Sequence, residues 1–269
     1  MKNLLFVLNI FIWIAINPSL AQDADSNEKL SESEHLVMAT DWFQKSAEMR
    51  ACYYQAYQLA KWRLDQKLAS RQNQKPAAIV FDIDETVLDN SAYEVHLIQT
   101  GQLYSSEGWK QWTDRVDARA LPGALEFTKY AKSKGVEVIY ISNRKADERE
   151  PTLKNLKKEG FPNADSVFLF LREINQNNDK TMRRITVIET YDVLLYVGDN
   201  LTDFSQIFAE RGADLGFQVV DSLRDLFGDN YIILPNPTYG EWEGAIYGNN
   251  YKQTPEKKRA LRKRVLKGY

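Results

Sequence analysis

Apolar positions follow two rhythms along this chain. From about Ser33 to Ser70, with no glycine or proline, Leu36, Met38, Trp42, Phe43, Ala47, Cys52, Tyr53, Ala56, Tyr57, Ala60 and Leu64 recur at helical spacing. That period predicts a long amphipathic helix, or two in succession. After a polar linker, Arg71 to Pro76, come short unbroken apolar runs: Ala77-Ala78-Ile79-Val80-Phe81, Val136 to Ile141, Val167 to Phe170, Val193 to Val197 and Phe217 to Val220. Each has the length and character of a strand buried on both faces. Helical segments lie between them. One starts near Pro122 and ends before Gly135, another runs from about Asp147 to Glu159 and stops at Gly160, and a third follows Asp203. Strands alternating with helices predict an α/β fold, a doubly wound, mainly parallel, Rossmann-like sheet flanked by helices. Asn90 to Leu121, with Tyr104, Trp109 and Trp112, is a long insert after the first strand, where a lid over a site is expected.

Composition narrows the picture. Of 269 residues, 43% are hydrophobic and 27% charged, ordinary usage for a globular protein. With 35 basic and 37 acidic residues the net charge is −2, so no global basic field points to a nucleic acid polymer or to an anionic membrane. The tail from Lys252 carries Lys257, Lys258, Arg259, Arg262, Lys263, Arg264 and Lys267, which reads as a solvated helix face. The lone cysteine, Cys52, excludes an internal disulfide and reads as a buried core thiol. The two histidines, His35 and His96, have no neighbours that suggest a metal cluster or a triad, which argues against histidine-based chemistry. Exposed apolar surface on the long N-terminal helix is a candidate contact for a homodimer.

The N-terminus reads separately from the rest. Lys2 is followed by the apolar run Leu4 to Ile16 and then by Pro18-Ser19-Leu20-Ala21, the grammar of a secretory signal peptide. The run is short for a membrane span, which needs about 20 residues. The expectation is cleavage after Ala21 and export to the periplasm or medium, without stable membrane insertion. No cysteine follows the run, so lipid attachment at a mature N-terminal cysteine is not expected. The domain plan is a signal segment at 1–21, a flexible lead-in at 22–31 and a single domain at 32–269, with helical cap elements at about 32–70 and 90–121.

The densest chemical signal is Phe81-Asp82-Ile83-Asp84-Glu85-Thr86-Val87-Leu88-Asp89-Asn90. Two aspartates follow a buried strand, and in open α/β sheets ligands bind beyond the carboxyl ends of strands. Alternation along an extended chain turns Asp82 and Asp84 to one side and Ile83 to the other. Carboxylates that close repel, and a hard divalent cation with oxygen ligands is their natural partner. A second acidic pair, in Gly198-Asp199-Asn200-Leu201-Thr202-Asp203, follows another strand, with Gly198 allowing a tight turn. Asp199 can complete the metal site, and Asp203 can open the next helix or orient a metal-bound water. Ser142 and Asn143, at another strand end, can donate to phosphate oxygens, and Lys180 can neutralise charge beside a nucleophilic carboxylate.

The run D-I-D-E-T, then S-N-R, a lysine and G-D-N-L-T-D, resembles the haloacid dehalogenase (HAD) superfamily. The longer wording, D-I-D-E-T-V-L-D-N-S, Y-I-S-N-R-K, Y-V-G-D-N-L-T-D-F, L-P-N-P-T-Y-G-E-W-E-G and the early M-A-T-D-W-F-Q-K-S-A-E-M-R-A-C-Y-Y-Q-A-Y, resembles the class C acid phosphatases, the lipoprotein e(P4)-type 5′-nucleotidases. That resemblance implies a HAD sheet with a small helical cap and a magnesium-dependent phosphatase of small phosphomonoesters, with nucleoside 5′-monophosphates and aryl phosphates as favoured substrates. It implies that Asp82 attacks phosphorus and that Asp84 is the general acid and base. Mg2+ would be held by Asp82, the Asp84 backbone carbonyl and Asp199, with Asp203 in support. Ser142, Asn143 and Lys180 would hold the phosphate, and Trp109 and Tyr239 are the candidates to clamp an aromatic leaving group. Lipoprotein members carry a cysteine where this chain has Ala21 and Gln22. A competing reading is a protein that keeps the fold but captures a nucleotide or haem, with hydrolysis incidental. Retention of Asp82, Asp84, Lys180 and Asp199 favours the enzyme.

Overall fold

The computed structural model describes residues 32–269. The signal segment and the lead-in lie outside the described residues. Two helices open the fold, α1 (Val37–Lys45) and α2 (Ala47–Ser70), after a short 3-10 turn. Ser46 separates them: its backbone is extended and its hydroxyl accepts from Met49 N–H, which caps the second helix. Then come β1 (Ala77–Phe81), β2 (Leu88–Asp89), α3 (Ser91–Thr100), α4 (Ser106–Asp114), β3 (Arg119–Ala120), α5 (Ala124–Ser133) and β4 (Glu137–Lys145). The rest is α6 (Arg149–Glu159), β5 (Leu169–Arg172), α7 (Thr181–Thr190), β6 (Asp192–Gly198), α8 (Phe217–Ser222), β7 (Tyr231–Ile233), α9 (Glu241–Ile246) and α10 (Pro255–Arg264).

The five-stranded sheet has the order β5-β4-β1-β6-β7. Every neighbouring pair in it is parallel, so all five carboxyl ends open on one edge. β1 is central and fully buried. Its alternating side chains feed two cores. Ile79 and Phe81 join Tyr53, Tyr57, Ala60 and Leu64 of α2 and Phe127 of α5 on one face. Ala78 and Val80 meet Val187 of α7 on the other. The N-terminal helices therefore divide their work: α1 packs on α3, while α2 lies with α5 in the layer over the sheet. The insert after β1 is closed at its base by a two-residue antiparallel ladder, Leu88 with Ala120 and Asp89 with Arg119.

Four of the predicted strands stand close to their expected positions; the fifth does not. Residues 217–220 begin α8, with none of its residues buried and Phe217 exposed. Gly216 enters with φ +90°, and Asp214 accepts from the N–H groups of Gly216 and Gln218, so local capping outweighs the apolar run. The fifth strand is Tyr231–Ile233, whose pairing with β6 comes only from the assembled sheet. Where a helix is expected after Asp203, the chain makes a single 3-10 turn, Gln206–Phe208, entered through extended Ser205. Cys52 is exposed, not a core thiol. The helical phase that buries Met49, Tyr53 and Tyr57 leaves position 52 on the outer side. His96 is exposed, and His35 approaches Glu243. The tail forms α10, with no buried residue, as a solvated helix should.

Candidate active site

The carboxyl ends of β1, β4 and β6 and the start of α7 supply the site. Asp82 follows β1 directly, and its N–H donates to Val197 O of β6 at 2.9 Å, which extends the sheet by one bond. Asp82 is 7% exposed. Lys180, at the start of α7 and 3% exposed, donates from Nζ to Asp82 Oδ1, to Asp203 Oδ1 at 2.6 Å and to Ile141 O at 2.9 Å. One ammonium thus ties β1, β4 and the loop after β6 together. Asp82, Asp199 and Asp203 each offer a carboxylate oxygen within 4.8 Å of the others.

Three carboxylates around one ammonium leave negative charge in a buried place. Burial pushes the Asp82 carboxyl up to about 7, opposed by Lys180 and reinforced by Asp203 and Asp84. Burial, Asp203 and Asp82 hold Asp199 well above the usual carboxylate range. Burial alone would lower Lys180, but Asp203 and Asp82 reverse this and hold it above its ordinary value. An all-oxygen, anionic, partly enclosed donor set of this kind fits a hard divalent cation. Asn236 and Asn200 donate to Asp199 Oδ2 at 2.9 and 3.1 Å, and Thr86 donates to Oδ1 at 3.4 Å, so the carboxylate is held in place. Asp203 Oδ2 accepts from Asn200 N–H at 2.9 Å. Gly198 is required by crowding rather than by a turn: a Cβ there would lie 2.4 Å from Asp203 Oδ2.

Asp84, two residues from Asp82, lies in a different environment, and its side chain stands outside the carboxylate trio. Oδ1 accepts from Arg144 Nε and Nη2 at 3.0 and 2.7 Å and from Asn90 Nδ2 at 2.9 Å. Oδ2 accepts from Ser142 Oγ at 3.3 Å and Arg144 Nε at 3.2 Å. Arg144 is buried and anchored on Thr152 Oγ1 at 3.1 Å. Asn90 is fully buried, and its Oδ1 accepts from Trp112 Nε1 at 2.8 Å, so the insert after β1 helps to orient the amide that holds Asp84.

The loop between the aspartates and β2 is held from outside. Glu85 adopts φ +56°, unusual for a side chain of its size. Tyr53 and Tyr57 of α2 donate their hydroxyls to Glu85 O at 2.5 Å and Thr86 O at 2.7 Å. Asn90 N–H donates to Glu85 Oε1 at 2.7 Å, and the Tyr239 hydroxyl meets Oε2. Burial, Asp84 and Asp199 push the Glu85 carboxyl well above its ordinary value.

The structure therefore brings Asp82, Asp84, Ser142, Lys180, Asp199 and Asp203 together. Asn143 lines an adjoining cleft with Tyr104, Trp109, Lys145 and Arg172. Trp109 meets Tyr93 edge-on at 5.3 Å and lies 5.8 Å from the Arg144 guanidinium. Tyr239 is tied by its hydroxyl to Glu85 Oε2, the oxygen that Asn90 Nδ2 also approaches at 3.4 Å. Arg144, Asn90, Thr86 and Asn236 are site residues beyond those expected from the sequence. Thr86 and Asn90 stand inside D-I-D-E-T-V-L-D-N-S, Arg144 inside S-N-R and Asn236 inside L-P-N-P, the quoted wording from which they could have been found.

The fold and this site define the class. The chain belongs to the HAD superfamily, subfamily IIIB (acid phosphatase), whose family model matches residues 21–242. Among solved structures, it is similar to the class C acid phosphatase from Bacillus anthracis, at 40% identity and a TM-score of 0.84 over 89% of this chain and 99% of that one. A structure of that acid phosphatase with tungstate bound is 39% identical, with a TM-score of 0.84 over 88% of this chain and 98% of that one. Among curated proteins, it is 28% identical over 165 residues to the stem 28 kDa glycoprotein of Glycine max, 60% of this chain and 58% of that protein. It is 30% identical over 145 residues to a stem 31 kDa glycoprotein of Glycine max, 52% of this chain and 49% of that protein. The matches thus span about half the length of these curated relatives.

Proposed function

We propose that the protein is an exported, magnesium-dependent acid phosphatase of small phosphomonoesters, acting through an aspartyl-phosphate on Asp82. The observation that carries this reading is the contrast between neighbouring carboxylates. Asp82 belongs to the Lys180 and metal-type cluster, while Asp84 is held apart by Arg144, Asn90 and Ser142. Paired carboxylates in different environments take different roles.

A carboxylate oxygen of Asp82 attacks phosphorus and the bond to the leaving oxygen breaks, while Asp84 gives that oxygen its proton. Asp84, now a carboxylate, takes a proton from water as the water oxygen attacks the phosphorus of the aspartyl-phosphate. Phosphate leaves and Asp82 is regenerated. Ser142 and Asn143 donate to phosphoryl oxygens, and Lys180 offsets the charge of the Asp82 side. Asp82, Asp199 and Asp203, with the Asp84 backbone carbonyl, would hold Mg2+, which when bound supplies positive charge against the carboxylates and the phosphoryl group.

Tungstate is a tetrahedral oxyanion of phosphate-like shape, so its presence in the 39% identical structure supports phosphoryl binding here. The cleft with Tyr104 and Trp109 suits a flat leaving group, which favours nucleoside 5′-monophosphates and aryl phosphates. Tyr239 remains the second candidate for the aromatic clamp, on the family wording alone. Export rests on the segment 1–21, and the family match opens at residue 21, where cleavage is proposed. No helix of the described residues is long and apolar enough to cross a membrane.

The test is hydrolysis of an aryl phosphate and a nucleotide panel by wild type and Asp82→Asn, with Mg2+ and with chelator. Turnover should require both Asp82 and the metal. Full activity in the variant, or equal rates in chelator, would remove this reading.

A further inference from the structure

The first turn of α7 presents three basic residues that diverge. Lys180 goes to the carboxylates. Arg184 turns to the loop after β6, donating to Thr202 O at 2.7 Å. Arg183 turns the opposite way, to the end of β4: Nη1 donates to Ser142 O at 2.6 Å and Nη2 to Asn143 Oδ1 at 2.7 Å. Arg183 is 9% exposed, and its place is braced by a third bond to Asp179 O at 3.1 Å.

A guanidinium only donates, so the face that Asn143 turns toward Arg183 has to be its oxygen. The Nδ2 group is thereby turned away from Arg183. The backbone obeys the same constraint. A trans peptide points its C=O and the following N–H in opposite directions. With Ser142 O on Arg183, the N–H of Asn143 also faces away. Arg172 Nε, donating to Asn143 O at 3.3 Å, fixes the next carbonyl. Two arginines thus take the acceptors of Asn143, and its donors face away from Arg183.

We propose that Arg183 is a positioning residue that sets the amide of Asn143 with its donors toward the transferring phosphoryl group, so that phosphoryl affinity depends on Arg183 without contact between the two. This rests on the phosphatase reading and deepens it. Asn143 alone, with a freely turning amide, would present oxygen to an anion in part of its population. Arg183 removes that repulsive orientation.

The test is a double-mutant cycle between Arg183→Met and Asn143→Ala. It reads the dissociation constant of inorganic phosphate by calorimetry, KM and kcat on an aryl phosphate, the half-saturating Mg2+ concentration and the melting temperature. Arg183→Met should weaken phosphate binding about tenfold, the size expected for losing one charge-assisted hydrogen bond. KM should rise in parallel, with kcat changed less than about threefold and Mg2+ half-saturation unmoved. On the Asn143→Ala background the same change should alter phosphate affinity less than about twofold. Arg183→Lys keeps the charge but loses the planar fork and should retain most of the defect. It also carries the cycle if the Met variant melts below the assay temperature. Additive effects in the cycle, or full rescue by Lys, would show bulk charge rather than positioning and overturn the proposal. Phosphate binding is read without turnover. An additive cycle in an enzyme that still needs Asp82 therefore rejects only the Arg183 assignment, whereas turnover in Asp82→Asn rejects the phosphatase reading.

Discussion

At the scale of single residues, the site depends on close approach. A methyl group at Gly198 would press on Asp203, whose Cβ would be 2.6 Å from the new atom. Gly198→Ala should therefore push Asp203 away from Lys180, cost about 1–3 kcal/mol of stability as overpacking does, and raise the half-saturating Mg2+ concentration. Denaturant melts and a metal titration check both effects. Residues of this kind were partly legible beforehand. Asp82, Asp84, Asp199, Asp203 and Ser142 come at or soon after the ends of predicted strands, and that position marks them as facing one edge; Lys180 sits in a polar segment and was singled out by the family wording. Arg144 was not legible as a partner of Asp84, because the pair is separated by 60 positions and only the parallel packing of β1 on β4 joins them. Asn90 and Glu85 stand inside the quoted motif D-I-D-E-T-V-L-D-N-S, but the motif does not say that they are buried or what they bond; those bonds come from Tyr239, Trp112 and Asp84 brought in by the fold.

At the scale of elements, α2 acts on the site as well as on the core. Tyr53 and Tyr57 are buried in the core cluster, and their hydroxyls end on the two carbonyls of the strained loop at Glu85 and Thr86. Tyr57→Phe should remove about 1 kcal/mol of stability and lower kcat more than it raises KM, measured by melts and by kinetics on an aryl phosphate. A second expectation concerns α3. Burial, with Glu243 nearby, pushes the Glu94 carboxyl up to about 7 from 4.5. The folded protein then holds a proton that the unfolded chain releases, so this stability is complete below about pH 4.5 and is lost as pH rises toward 7. Glu94→Gln should flatten that part of the stability curve, seen as a smaller fall in melting temperature between pH 4.5 and 7 than in wild type. The apolar run at 217–220 shows why element type is not always decided locally. A four-residue run suits a strand or a helix turn equally. Its fate was settled by the Asp214 and Gly216 start signals and by Tyr231–Ile233 taking the edge of the sheet.

At the scale of the whole molecule, the metal is expected to couple pH, stability and activity. Asp82 and Asp199 have raised pKa values in the metal-free fold. As pH rises from about 4 toward 7, the unfolded chain ionises these groups more readily than the fold does, and the metal-free protein loses stability. A bound cation favours the ionised carboxylates and stabilises the fold by mass action. The rise in melting temperature on adding Mg2+ should therefore be larger at pH 7 than at pH 5; an equal rise at both would count against a carboxylate cation site. The sequence alone determined the alternation of strands and helices, the edge at which chemistry gathers and most of the acidic residues there. These are properties of residue spacing, and spacing along a strand or helix fixes direction locally. Only the tertiary structure decided which carboxylate pairs with which cation, that Cys52 faces outward, and that Tyr53, Tyr57 and Tyr239 converge on one loop. Those outcomes depend on distances between segments far apart in the chain, which packing sets and local pattern does not.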